Sequence, residues 1–124
     1  MKKLLIIILL LNLNLSNSYS IEPDVFIQST VNRAANTLGG NLTKDERIQQ
    51  LKQIAKETVD ITGIGYYSLG SHRKSLSKEQ LSSYKKAFEE YFLKSFSSRL
   101  AEYSNPEIEV ISKNKLNKNY TIVL

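Results

Sequence analysis

The stretch "RLAEYSNPEIEV", residues 99–110, decides the fold class. Up to Tyr103 the apolar residues recur at helical spacing. Leu81, Tyr84, Phe88, Tyr91, Phe92, Phe96, Leu100 and Tyr103 fall on one broad face. Asn105-Pro106 ends that pattern, because the residue before a proline is pushed out of the α region. Beyond it, Glu107, Ile108, Glu109 and Val110 alternate polar and apolar, which predicts a half-buried strand. "SKNKLNKN" (112–119) reads as a polar turn and "YTIVL" (120–124) as a returning strand. Helices come first and strands last, so the class is α+β. Two strands are not a stable sheet by themselves; a third strand or a packed helix is needed. The apolar end at Ile122, Val123 and Leu124 would otherwise be an unpaired edge.

Upstream, "SKEQ" (77–80) is a capping box that opens the long helix, expected over Lys78–Tyr103. Lys85 and Lys86 precede Glu89 and Glu90 by four residues on its outer face, in the less favourable order. A first helix starts at Pro23, which suits a position whose N–H has no helical partner. Ile27, Val31, Ala34 and Leu38 line its apolar face, and Gly39-Gly40 ends it. A second helix opens on the capping box Thr43–Glu46 and carries Ile48, Leu51, Ala55 and Val59. Between the second and the long helix lies "DITGIGYYSLG" (60–70), where glycines interrupt an apolar run beside two tyrosines.

The 124 residues carry a net charge of +5 and no cysteine. "MKK", then the apolar "LLIIILLL" (4–11), then polar "NLNLSNSYS" (12–20) follow the order of a secretory signal peptide. The apolar run is far shorter than the roughly 20 residues of a membrane span. The expected division is a signal over 1–20, cleaved near Ser20, and one domain over 21–124. An exported chain without cysteine depends on burial alone for stability. Its charge is diffuse, whereas a nucleic-acid binder concentrates basic residues in a patch. No catalytic constellation is present: there is no cysteine nucleophile, and the one histidine, His72, lies in the polar "SHRKS". "GIGYYSLG" lacks the preceding strand and the Lys-Ser/Thr of a phosphate-binding loop, and no metal-ligand spacing occurs. No cofactor or enzymatic activity is expected. Arg73 and Lys74 read as loop charge, with contact to an acidic lipid headgroup as the sharper reading.

The order of these pieces resembles the MlaC, or toluene-tolerance, family of periplasmic phospholipid-binding proteins. The resemblance runs from about Pro23 to Leu124. It is densest over "DITGIGYYSLG" and over "SKEQLSSYKKAFEEYFLKSFSSRLAEYSN" (77–105), where a Ser-x-Glu-Gln cap leads to "RLAEY". It implies helices packed on a curved antiparallel sheet, with acyl chains in an apolar cavity between the layers. It implies a carrier that shuttles phospholipid between the inner and outer membranes and maintains outer-membrane lipid asymmetry. The implied partners are an inner-membrane ABC transporter complex with an MCE-type component and an outer-membrane lipoprotein–porin complex. Family members usually continue with further strands and a helix. The expectation is therefore a C-terminally truncated chain holding about two strands of the sheet.

On that resemblance the cavity is expected to be lined by Val59, Ile64, Tyr67 and Leu69 from the short central segment. Phe88, Phe92 and Phe96 are expected to line it from the long helix. Tyr84, Tyr91 and Tyr103 fall on the flanks, where a hydroxyl reaches water or backbone. Asp60 is positioned to cap the short segment and Gly70 to end it, with Ile61, Ile64 and Leu69 towards the core and Gly63 and Gly65 as a hinge. Two other readings stand beside the carrier. One is a small exported interaction module that pairs through its strand edge; the other is a non-functional fragment.

Overall fold

The computed structural model describes residues 20–124. The signal-peptide expectation lies outside them. Four helices and a two-stranded hairpin follow one another: α1 (Pro23–Gly39), α2 (Lys44–Thr58), α3 (Ile61–Leu69), α4 (Lys78–Leu100), β1 (Lys113–Lys115) and β2 (Thr121–Val123). The class is α+β, as the change of period at Asn105-Pro106 predicts. No helix among the described residues is long and apolar enough to cross a membrane.

The helix boundaries follow local chemistry. Pro23 stands at the start of α1, and the Gly40 N–H donates to the Asn36 carbonyl at its end. Both capping boxes form. The Thr43 hydroxyl accepts from the Glu46 N–H, and the Thr43 N–H donates to the Glu46 carboxylate at 2.8 Å. The Thr43 hydroxyl also donates to that carboxylate at 2.8 Å, and this bond, then the backbone one, holds the Glu46 carboxyl below the usual range. Ser77 and Gln80 repeat the arrangement at α4. The Asp60 side chain accepts from the Gly63 N–H at 2.9 Å and caps α3. Gly70 ends α3 at φ +54°, a conformation that a side chain disfavours. From there Gly70–Ser75 makes a short 3₁₀ turn instead of an irregular loop.

Two apolar clusters fill the interior. Leu38, Leu51 and Ala101 join α1, α2 and the end of α4. Ala55, Ile61 and Leu93 join α2, α3 and α4. A polar link sits between α1 and α2, where the buried Thr37 hydroxyl meets the Gln50 side chain at 3.1 Å. Arg33 and Glu57 tie the same pair outside at 2.6 Å. Lys85 and Lys86 form no ion pair among the described residues.

The hairpin differs from the expected one. Residues 107–110 are not a strand, and β1 falls inside the run expected to be a turn. Its register pairs Lys113 with Val123, Asn114 with Ile122 and Lys115 with Thr121. A strand needs a partner along its length. The Leu124 carbonyl accepts from Ile111 and Ser112, and the Val110 N–H turns to the Gln28 side chain and not to a neighbouring strand. The alternation at Glu107–Val110 is real as pattern but unpartnered as structure. The hairpin sits on α1 and is tied to it by polar bonds. Lys113 Nζ reaches Asp24 at 2.9 Å and Glu22 at 3.1 Å, and the Val110 N–H donates to Gln28 at 3.3 Å.

Candidate functional site

The most distinctive side-chain array lies on α4. Tyr84, Phe88, Phe92 and Phe96 recur every four residues, so their rings fall on one stripe of the helix. Ring centroids are 5.7 Å apart for Tyr84–Phe88, 6.3 Å for Phe88–Phe92 and 5.6 Å for Phe92–Phe96, with planes inclined by 30°, 25° and 10°. The result is a ladder of four offset rings spanning roughly three turns of the helix. None of the four is fully buried. The three phenylalanines pack on one side against the Ala55–Ile61–Leu93 cluster, together with Val59.

The helix α3 is set close to this ladder by a missing side chain. Gly65 is buried, and a Cβ built on it would lie 2.8 Å from the Phe88 ring. The Tyr84 hydroxyl donates to the Gly65 carbonyl at 3.1 Å, which fixes the top of the ladder to α3. The bond also places a polar tip beside an apolar row, the arrangement in which a tyrosine is most stable at a boundary with water.

The expected lining residues divide. Val59, Phe88, Phe92 and Phe96 come together around one cluster. Leu69 is half-buried, whereas Ile64 is 42% and Tyr67 89% exposed. Ile64 therefore does not face the core. The buried side of α3 runs through Ile61 and Gly65, one turn apart. A nine-residue helix buries only a narrow stripe, and here the stripe passes through the glycine that allows closest approach. Gly63 and Gly65 both lie within the regular α3 helix, and Gly70 is the one glycine with positive φ among the described residues.

At the C-terminal end of α3 lies an open cleft of about 770 Å³, lined by Tyr66, Tyr67, Gly70, Arg73 and Lys74. The Arg73 guanidinium carbon stands 4.3 Å from the centroid of the Tyr66 ring. In the sequence Arg73 and Tyr66 stand in separate segments. Their contact needs the chain reversal at Gly70, which spacing alone does not reveal. Among the described residues no group of three or more His, Asp or Glu side chains converges as a metal site.

A stacked apolar ladder that packs on a cluster and stays half-buried is a surface on which a chain-like apolar ligand can lie. Against that geometry, the model of a family described as "MlaC protein" matches residues 28–124. No curated protein and no solved structure matches the chain.

Proposed function

The chain belongs to the MlaC family, and from that premise we propose that it is a periplasmic phospholipid-binding carrier. In this reading it is exported by a signal cleaved near Ser20. It acts as the soluble component of an ABC-type transport system that maintains outer-membrane lipid asymmetry. It exchanges lipid with an inner-membrane transporter complex carrying an MCE-type component and with an outer-membrane lipoprotein–porin complex. No covalent step is involved.

The observation that carries the reading is the half-buried ladder Tyr84–Phe88–Phe92–Phe96. Each acyl methylene withdrawn from water gains about 0.8 kcal/mol. A carrier therefore needs a continuous apolar track more than any particular side chain. The ladder supplies one, and Val59 extends it on the α2 side. Leu69 and Tyr67 are assigned to the rim of the same track at the far end of α3, and Ile64 to a face that only a partner or a longer ligand would cover.

Native mass spectrometry after mild expression tests this directly. The expected result is co-purified phospholipid on the wild-type chain and its loss in Phe92→Asp, with helical content retained. A lipid-free chain that instead captures a protein through the β1–β2 edge would replace the carrier with the interaction-module reading.

A further inference from the structure

The cleft lined by Tyr66, Tyr67, Gly70, Arg73 and Lys74 has a chemistry that the acyl track does not use. Its cations are uncommitted. Arg33, Lys44 and Lys113 each pair with a carboxylate, but Arg73 and Lys74 make no ion pair among the described residues. No carboxylate lines the cleft. Arg73 is nevertheless positioned, because its guanidinium rests over the Tyr66 ring. Stacking uses the face of a guanidinium and leaves its in-plane N–H groups free, and that fork matches two oxygens of a phosphate. The Tyr66 and Tyr67 hydroxyls add neutral donors, and Lys74 adds a second charge. The cleft is connected to the track through the chain. Tyr66 follows Gly65 in the chain, and the Gly65 carbonyl holds Tyr84, the first ring of the ladder.

We propose that this cleft is a phosphate subsite for the headgroup of the carried lipid, selecting headgroups of net negative charge over zwitterionic ones. The inference rests on the carrier reading and adds a headgroup specificity to it. An acyl chain lies along Phe88, Phe92 and Phe96, and the phosphate sits at the α3 end between Arg73 and Lys74. A zwitterionic headgroup brings its own cation towards those two side chains, and a net anionic headgroup does not.

The test uses the whole chain and two water-soluble probes, dihexanoyl phosphatidylglycerol and dihexanoyl phosphatidylcholine, with inorganic phosphate as a third. Binding is followed by amide and aromatic chemical shifts. Phosphatidylglycerol is expected to bind about fivefold tighter than phosphatidylcholine, the scale of a partly exposed charge contact. It should shift Tyr66 and the amides around Gly70. Arg73→Ala/Lys74→Ala is expected to erase the preference while both lipids still shift the Phe92 ring. Equal affinities in the wild type, or a preference that survives the double substitution, overturn the headgroup subsite and leave the acyl track standing. Inorganic phosphate binding as tightly as phosphatidylglycerol, with the same shifts, makes the cleft a free-anion site and also overturns it. Binding of neither lipid removes the carrier reading and the subsite with it.

Discussion

Two glycines two positions apart in α3 do different work, and the difference is testable residue by residue. At Gly65 a methyl group would press on the Phe88 ring. Overpacking of this kind costs about 1–3 kcal/mol, against the roughly 1 kcal/mol that alanine gains over glycine in a helix. Gly65→Ala is expected to lower stability by about 1 kcal/mol in urea unfolding and to move the Phe88 ring resonances. At Gly63 a methyl group would collide with the capping Asp60 carboxylate, the end of a flexible side chain. Gly63→Ala then loses a cap worth about 1 kcal/mol and gains a similar propensity, for a net near zero. With Asp60→Ala already in place nothing obstructs the methyl group, and Gly63→Ala should stabilise by about 1 kcal/mol. A double-mutant cycle reads that coupling. Additive effects would show that the carboxylate does not control the site. In sequence both glycines look alike, as breaks in an apolar run. Only the position of Phe88, from the next long helix, separates them.

At the scale of elements, what the sequence showed was what local chemistry decides. The caps at Thr43, Asp60 and Ser77 and the stop at Gly70 each depend on groups within a few residues, and each formed where the pattern places it. Phe88, Phe92 and Phe96 were legible as one row, because four-residue spacing on one helix fixes which rings are neighbours, but Tyr84, expected on the flank, is the first ring of that row. The hairpin was not, because register depends on which strand returns and how far. Its attachment to α1 was equally hidden: Lys113 and Asp24 are 89 positions apart. That attachment predicts a pH window. The hydrogen bond from Lys113 holds the Asp24 carboxyl below its usual range, and Asp24, then Glu22, raise Lys113 above its own. A carboxyl held low contributes stability above its unfolded value and loses it as pH falls through the folded one. A lysine held high contributes below its unfolded value and loses it as pH rises through the folded one. The clasp should therefore be closed between about pH 4 and pH 10.5 and loosen outside those limits. Hydrogen exchange at the Leu124 and Leu116 amides, both bonded within the hairpin, reports it. Lys113→Met should speed exchange at neutral pH and flatten the dependence below pH 4. A profile unchanged by that substitution would mean that the hairpin docks without the clasp.

For the molecule as a whole, the proposed carrier role links ligand and fold by mass action. The described residues bury two small clusters and leave the ladder half-buried, so an acyl chain laid on Phe88, Phe92 and Phe96 adds apolar contact that the unfolded chain cannot offer. A ligand that binds only the folded state stabilises it by about 2.7 kcal/mol at a hundredfold excess over Kd. In a domain near 100 residues each kcal/mol moves Tm by roughly 4–8 °C, so saturation should raise Tm by about 10–20 °C. Phe92→Asp should remove most of that rise relative to its own lipid-free Tm, because a charge placed mid-track must be desolvated by any acyl chain crossing it. Tyr120→Ser, on the exposed hairpin loop, should keep the full rise. Differential scanning calorimetry with and without phospholipid distinguishes these outcomes. A rise that both variants retain would place the lipid somewhere other than the ladder. A rise lost in Phe92→Asp alone would make the half-buried aromatic row, and not the interior clusters, the surface through which lipid and fold are coupled.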